Sequence, residues 1–143
     1  MKERPILFSG EMVRAILEGR KTQTRRVIKP QPDSARNSVF VKSGFETKHG
    51  YEIKCPYGQP GDRLWVRETW GLWDTDPKDG PERAKIFYRA TDENRRDLRY
   101  QRWRPSIHMP RWASRINLEI TNIRIERVQD ITEEDAKAEG LFL

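Results

Sequence analysis

Apolar residues come in short clusters, and their spacing predicts the first elements of secondary structure. The run Pro5-Ile-Leu-Phe8 has the length of a short strand. Ser9 follows this run as a helix N-cap, and Gly19 stands just past the predicted helix end, where a positive φ is needed. The stripe between them predicts a helix over residues 10–18, and its apolar members are Met12, Val13, Ile16 and Leu17.

Alternation of apolar and polar residues predicts strands over much of the remaining chain. The clearest strand is Arg63 to Thr69, in which Glu68 shares a face with two aliphatic side chains. Further strands are predicted over residues 24–28, 39–41, 51–54, 85–90 and 115–128. The second and third of these would form a hairpin around Lys48-His49-Gly50. In the last, a slip of one residue in the alternation indicates a bulge near Thr121-Asn122.

Turn and loop signals separate these strands. Pro60-Gly61-Asp62 predicts a turn, and residues 74–82, which hold four acids, two prolines and a glycine, predict a surface loop. Residues 91–102 are polar enough for either a short helix or a mobile loop. Residues 103–112 contain two prolines and no periodicity, which indicates an ordered loop held in place by its aromatic side chains.

A second short helix is predicted towards the carboxyl end. Thr132 is its N-cap, Glu133 to Glu139 form it, and Gly140 ends it. Two short helices and about six mostly antiparallel strands place the chain in the α+β class, as a small closed or half-closed β-barrel. We expect one domain spanning residues 1–143.

The composition excludes several classes of protein. Charged residues make up 35% of the chain, and no window approaches 18 consecutive apolar residues, so we expect neither a transmembrane segment nor a membrane partner. A single cysteine, Cys55, forms no internal disulfide, which favours a cytoplasmic location. Cys55, His49 and His108 lack the spacing of metal ligands, and no glycine-rich phosphate loop is present. We therefore expect no metal and no cofactor.

The net charge of +6 is distributed unevenly. Residues 1–30 carry eight Lys and Arg against three acids, whereas residues 95–127 carry nine Arg, no Lys and three acids. Arginine favours planar, bidentate partners such as phosphate, and it also stacks on bases. Two basic segments folded onto one face would suit a polyanion, with nucleic acid as the natural partner. The alternative is that the arginine-rich strands are only solvated.

The run from Gly19 to Arg26 places one lysine and two threonines between a helix and a strand. A lysine becomes a base when burial and neighbouring cations favour loss of its proton, and three arginines of this run supply such cations. A threonine hydroxyl becomes a nucleophile when a base lies within hydrogen-bond reach. Lys21 and Thr24 converge only if residues 20–23 turn. From spacing alone, the structural interpretation is favoured, since cations after a helix complement its dipole.

Two carboxylates and the tryptophans complete the candidates. Glu68 shares a face with apolar residues, and a buried carboxylate must be paired or protonated. A structural ion pair with an arginine is favoured there over catalysis. For Glu139, spacing gives no reason to prefer it over the other acids of its helix. Core packing explains most tryptophans, and Trp70 and Trp73 are the best candidates for a pocket rim.

Three blocks resemble the ASCH domain, a relative of the PUA-type RNA-binding barrels. They are Gly19-x-Lys21-x-x-x-x-Arg26 after a short helix, Pro60-Gly-Asp-Arg-Leu-Trp-Val-Arg-Glu-Thr-Trp70, and the strand 115–128 followed by Ile131-Thr-Glu-Glu-Asp-Ala-Lys-Ala-Glu-Gly140. Their shared order over residues 5–140 is far more specific than any one block. Pro105-Ser-Ile-His-Met-Pro110 is similar to versions carried by bacteriophages and prophages, so we expect a phage or prophage gene in a bacterial host.

The resemblance implies a PUA-like barrel with a cleft between the helices and the barrel mouth. Some ASCH proteins are amidohydrolases that remove the acetyl group from N4-acetylcytidine, and their lysine, threonine and glutamate match Lys21, Thr24 and Glu139. In the implied acyl transfer, the lysine takes the threonine proton, the threonine attacks the amide carbonyl, and the glutamate assists proton transfer. The residues expected to contact RNA or a nucleoside are Gly19, Arg20, Arg26, Arg67, Glu68 and Trp70.

The match departs from the family at the carboxyl end. Members usually continue into another helix and a closing strand, whereas this sequence stops at Leu143. We therefore expect either a shortened gene or a barrel without its closing strand, whose edge is covered by residues 91–112 or by a second copy in a homo-oligomer. Other members bind RNA or are nucleases, so two alternatives stay open. These are a non-catalytic RNA-binding module and a phage assembly or interaction protein.

Overall fold

The chain has a mixed α+β architecture in the computed structural model, which describes residues 1–28, 36–37, 45–46, 53–73, 85–98 and 101–140. The strands are β1 Glu3–Leu7, β2 Arg36–Asn37, β3 Phe45–Glu46, β4 Arg63–Arg67, β5 Trp70–Trp73, β6 Lys85–Tyr88 and β7 Asn117–Glu119. The helices are α1 Gly10–Leu17, α2 Arg89–Asp92 and α3 Glu133–Ala138. Within the described ranges, none of the helices has the length and apolar character that crossing a membrane requires.

Within the described ranges, the strands pair in three separate sheets. The largest has the order β1-β4-β7, with β1 parallel to β4 and β7 antiparallel to it. The other two, β2-β3 and β5-β6, are antiparallel pairs. Mostly antiparallel pairing is therefore observed, but the strands that the structure describes do not close into a barrel. The barrel stays a prediction.

The main core lies where α1 covers the β1-β4-β7 sheet. Alternation along β1 and β4 directs aliphatic side chains to one face, and the registered pair Ile6 and Val66 is buried at its centre. Val13 of α1 is fully buried against this face. The cluster as a whole consists of Ile6, Phe8, Val13, Leu64, Val66, Ala90 and Ile116. Burial of this apolar area is what docks α1 on the sheet.

Both predicted helices are confirmed, although each ends one residue earlier than predicted, at Leu17 and Ala138. The Ser9 hydroxyl accepts a hydrogen bond from the Met12 amide at 3.3 Å, and Gly19 follows α1 with φ +75°. Thr132 forms a capping box with Asp135 at the start of α3. Gly140 follows this helix with φ +94°. Helix α2 is a further short helix, in a stretch predicted partly as strand.

Residues 24–28 do not form the predicted strand. The chain from Lys21 to Ile28 has no regular structure. The start of this bend bonds to a helix end, and no backbone hydrogen bond joins residues 24–27 to a described strand. The amides of Thr22 and Gln23 both donate to the Ala138 carbonyl, at 2.7 and 3.0 Å. These bonds attach the bend to α3.

Three other predicted strands are shorter than expected. The first ends at Arg67, because Trp70 turns into another sheet and exchanges backbone hydrogen bonds with Arg104. The strand predicted over 85–90 gives way to α2 after Tyr88. The strand predicted over 115–128 is limited to β7, and no bulge forms because residues 121–127 have no ladder partner among the described residues.

The remaining loop predictions have different outcomes. The turn at Pro60-Gly61-Asp62 is confirmed, with φ +93° at Gly61. The ordered loop is also confirmed, since Trp103 packs edge-on against Phe87 and Trp112 against Trp70. The predictions for 39–41 and 74–82 lie outside the described residues, as do residues 51 and 52 of the strand predicted over 51–54.

Candidate functional site

Lys21 is the centre of the candidate site, and its side chain is only 2% exposed. The ammonium Nζ donates to the Gln23 carbonyl at 2.6 Å, to the Glu139 carbonyl at 3.0 Å and to Glu139 Oε2 at 3.1 Å. An ammonium has three hydrogens, so these bonds use all of its donors. The charge is therefore compensated inside the protein by a carboxylate from the other end of the chain.

The bend after α1 and the carboxyl end of α3 hold each other in place. The backbone amides of Arg20 and Lys21 both donate to the Ala15 carbonyl, at 2.9 and 3.1 Å, so the bend folds back on α1. Arg20 also reaches the Gly140 carbonyl with Nη1 at 2.8 Å. Cations and amide donors thus meet the carbonyl end of α3, where its dipole is negative. This contact brings Glu139 to Lys21.

Glu139 shares its second oxygen with a small ionic cluster. Arg25 Nη1 lies 3.4 Å from Glu139 Oε1, while its Nη2 lies 2.9 Å from Glu126 and 3.5 Å from Asp135. The hydrogen bond to Glu126 raises the pKa of Arg25 above its ordinary value. At Asp135, hydrogen bonds from Thr132 lower the pKa of the carboxyl. The raised pKa of Arg25 and the lowered pKa of Asp135 both favour the charged forms of these groups, so charged side chains lie beside Glu139.

Thr24 is not joined to the other two predicted catalytic residues. Its side chain is exposed, and its hydroxyl makes no hydrogen bond with any described residue. Residues 20–23 turn as the convergence of Lys21 and Thr24 requires, but the donors of Nζ go to Gln23 and Glu139. The structure therefore brings together two members of the predicted triad and leaves the third open to solvent.

Phe8 lies between the site and the end of the main sheet. Lys21 Nζ is 5.5 Å from the centre of the Phe8 ring, and the Arg26 guanidinium is 5.6 Å from it. Arg26 Nη2 also donates to the Leu7 carbonyl at 2.7 Å. The ring face attracts both cations, which places positive charge at the carboxyl end of β1.

Arg67 lies at the end of the neighbouring strand. Its carbonyl accepts from the Phe8 amide at 3.0 Å, and its guanidinium lies 4.8 Å from the Trp65 ring centre. The Arg67 Nε atom is buried and has no hydrogen-bond partner among the described residues. Such an unpaired donor is costly unless a ligand or water meets it. Arg26 and Arg67 thus lie at the adjacent ends of β1 and β4.

Glu68 forms the ion pair that the sequence favours for it. Its side chain is 1% exposed, and both of its oxygens accept from Arg115, at 3.0 and 2.9 Å. Arg115 in turn lies 4.1 Å from the Tyr88 ring centre, and burial raises the pKa of that phenol. Each carboxylate oxygen accepts from the arginine fork, so the predicted ion pair with an arginine is confirmed.

The surroundings of Trp70 and Gly19 indicate structural roles for both residues. Trp70 is only 3% exposed, because its ring packs edge-on against Trp112 at 6.2 Å and under Arg104 at 5.4 Å. It is a core residue, which limits what it offers to a stacked base. Gly19 is exposed and has no atom within 4 Å of a built Cβ, so its positive φ is its only evident requirement.

Sequence reasoning missed several members of the site. The Gln23 carbonyl and the contact of Arg25 with Glu139 carry no local signal, because both depend on how the bend lies against α3. The sequence presents Arg25 only as a neighbouring charge, and it does not identify the arginine that pairs with Glu68.

No family model, no curated protein and no solved structure matches this chain.

Proposed function

We propose that the chain is an ASCH-type amidohydrolase that removes the acetyl group from N4-acetylcytidine. One observation carries the proposal, which is the buried contact of 3.1 Å between Lys21 Nζ and Glu139 Oε2. The resemblance pairs these two positions, whereas residue spacing alone gave no reason to single out Glu139. A buried amine in contact with a carboxylate places a proton donor within hydrogen-bond reach of a proton acceptor, which is the geometry that proton transfer requires.

The first chemical step is a proton transfer within this pair. As an ammonium, Lys21 has no lone pair and cannot act as a base. Transfer of one proton to Glu139 breaks an N–H bond and forms an O–H bond, which leaves a neutral amine. That amine then accepts the hydroxyl proton of Thr24 while Oγ1 attacks the acetyl carbonyl carbon.

The later steps restore the starting protonation states of Lys21, Thr24 and Glu139. Collapse of the tetrahedral intermediate breaks the C–N bond, and the N4 amine of cytidine leaves with a proton from Lys21. The acetyl group then remains on Thr24 as an ester. The lysine amine deprotonates a water molecule, whose oxygen attacks the carbonyl carbon of this ester. The C–O bond to Thr24 then breaks, the threonine oxygen takes the proton held by Glu139, and the acetyl group leaves as acetic acid. Thr24 must turn towards Nζ when substrate binds, as catalytic groups often do on going from the apo state to the complex.

An acetate-release assay with N4-acetylcytidine tests the proposal. Turnover by the wild-type protein should fall at least about a hundredfold in Lys21→Ala and Thr24→Ala, the usual scale for a lost proton-transfer group or nucleophile. Lys137→Ala and Thr22→Ala are the matched controls, because Lys137 is exposed on α3 and Thr22 is exposed beside Lys21. Circular dichroism must show that every variant folds.

Two results would remove parts of the proposal. Absence of turnover by the wild-type protein at high enzyme concentration would remove the enzymatic activity altogether. Full activity in Thr24→Ala with loss in Lys21→Ala would replace the acyl-threonine by direct attack of water. The assay thereby separates the role of the threonine from that of the lysine.

The proposal extends to the fold and to the partners. We propose an antiparallel PUA-like barrel, RNA or a modified nucleoside as the ligand, and homo-oligomer formation through an unpaired edge, in the cytoplasm of a host that carries the phage gene. A non-catalytic RNA-binding module would bind RNA without releasing acetate. A phage assembly protein would form a stable oligomer without RNA affinity. Light scattering coupled to gel filtration distinguishes the last case.

A further inference from the structure

We infer that an open depression, lined by residues of the segment 93–98 together with Gln101 and Trp103, binds single-stranded nucleic acid at a place separate from Lys21. Its volume is about 830 Å³, and its lining includes Arg95, Arg96, Leu98, Gln101 and Trp103. Ligand sites commonly measure about 300–1,000 Å³. None of the predicted catalytic residues lines this depression, so the inference does not depend on the proposed enzymatic activity.

The depression carries positive charge that described acids do not neutralise. Glu93 is paired with Arg89 at 3.0 Å, and Asp97 is paired with Arg95. Arg96 lines the depression, is exposed and has no ion pair with a described residue. Its guanidinium group therefore remains for an anion, and its planar donors suit phosphate.

Trp103 supplies a partly exposed aromatic face whose position is fixed. Its ring packs edge-on against the buried Phe87 at 5.0 Å. The next residue, Arg104, exchanges two backbone hydrogen bonds with Trp70, at 2.7 and 3.2 Å, which attaches the segment to β5. A ring held in this way loses little conformational freedom when a base stacks on it. Stacking on aromatic side chains is the usual way to bind unpaired bases.

The polar and apolar groups around this ring fit the same ligand. Leu98 is 5% exposed and lines the depression, while Asn94 and Gln101 supply amide donors and acceptors for base edges or sugar hydroxyls. The depression is open to solvent, which lets a strand enter and leave. Phosphate-binding cations beside a stacking ring are the combination that single strands require, whereas duplex shields its base faces.

Fluorescence anisotropy with labelled twelve-nucleotide RNA and DNA single strands tests the inference. Arg96→Ala should bind about tenfold more weakly at low salt, and its salt slope should fall by about 0.7, as expected for one lost phosphate contact. Arg127→Ala is the matched control, because Arg127 is exposed, has no ion pair with a described residue and lies outside the lining. Its affinity should equal that of the wild type.

Trp103 provides a second variant that removes stacking and not charge. Trp103→Leu should bind about tenfold more weakly with an unchanged salt slope. Because this ring also packs on Phe87, the thermal unfolding of Trp103→Leu must be measured, and Arg96→Ala decides the matter if Trp103→Leu is unstable. Equal losses of affinity in Arg96→Ala and Arg127→Ala would overturn the inference, as would tighter binding to duplex than to single strands. Equal affinity for RNA and DNA would assign the contacts to phosphate and bases, and a preference for RNA would add the 2′-hydroxyl.

Discussion

Gly140 lies so close to Ala15 that a Cβ atom on it would be 2.7 Å from the Ala15 Cβ. The same atom would be 3.3 Å from the Cβ of Lys21. Ala15 is buried on α1, so this close approach docks the end of α3 on the first helix. Glu139 directly precedes this glycine, and its carboxylate therefore arrives at Lys21. Helix docking, and not local sequence, positions the carboxylate of the candidate site.

Gly140→Ala should destabilise the protein by two separate effects. The positive φ of +94° costs an alanine about 1–2 kcal/mol. The clash with Ala15 adds about 1–3 kcal/mol, the usual cost of overpacking. Gly61→Ala is the matched control, since Gly61 has φ +93° and nothing within 4 Å of a built Cβ. Urea denaturation measures the free energy of unfolding of both variants. Equal losses in the two variants would contradict the close packing of Gly140 on Ala15.

The contact between Lys21 and Glu139 should appear as a coupling energy. Lys21→Met should lower the free energy of unfolding by about 2–4 kcal/mol, because it leaves Glu139 and two backbone carbonyls without their donor. Glu139→Gln should cost only about 1–2 kcal/mol, since an amide oxygen still accepts a hydrogen bond. A double-mutant cycle by chemical denaturation checks this. A coupling energy near zero would mean that the two groups do not interact.

Removal of Arg115 should be far more damaging than removal of an exposed arginine. Arg115→Ala leaves the carboxylate of Glu68, whose side chain is 1% exposed, without its partner, which should cost about 3–5 kcal/mol. Arg111→Ala breaks a pair with Glu3 whose side chains are 43% and 45% exposed, and should cost about 0–1 kcal/mol. Thermal unfolding compares the two, and similar losses would argue against a buried pair.

The contribution of Asp62 to stability should depend on pH. Hydrogen bonds from the backbone amides of Lys2, at 2.9 Å, and Gln59, at 3.1 Å, lower the pKa of Asp62 below its ordinary 3.8. Since the folded-state pKa is the lower one, this stabilisation is complete above the ordinary value. It is lost as the pH falls through the folded-state value.

Asp62→Asn should therefore be less stable than the wild type at neutral pH, and the difference should shrink as the pH falls below 3.8. Urea midpoints measured between pH 7 and pH 2 check this. Asp130→Asn is a suitable control, because Asp130 is an exposed aspartate. A difference between wild type and Asp62→Asn that is independent of pH would show that the two amide bonds do not depend on the charge.

The candidate site was predictable only in part. The run around Lys21 stands out by composition, and the resemblance adds Glu139, but spacing favoured a structural role for the lysine. The strand predicted over residues 24–28 was wrong, because the backbone donors at Thr22 and Gln23 bond to α3. The contact of Arg25 with Glu139 follows from the same docking. The residues close to the bend in sequence indicate none of these contacts, because all of them depend on the docking of α3.

Sequence by itself determined the features whose energies are local. Ser9 and Thr132 cap their helices through groups three residues away, and Gly19 and Gly140 end them by adopting a positive φ. The alternation of apolar and polar residues that buries Glu68 is equally local. It predicts a cationic partner for this carboxylate but does not identify the arginine. Such effects involve residues only a few positions apart, so they can be predicted from the amino-acid sequence.

Only the tertiary structure decided the long-range contacts. The tertiary structure paired β1 with β4 in parallel and ended β4 at Arg67. It also brought Lys21 and Glu139 together, although they are 118 positions apart in the chain. Each of these depends on which surfaces bury the most apolar area and which backbone groups then meet. Many pairings satisfy the same local pattern, and packing of the whole chain selects one of them.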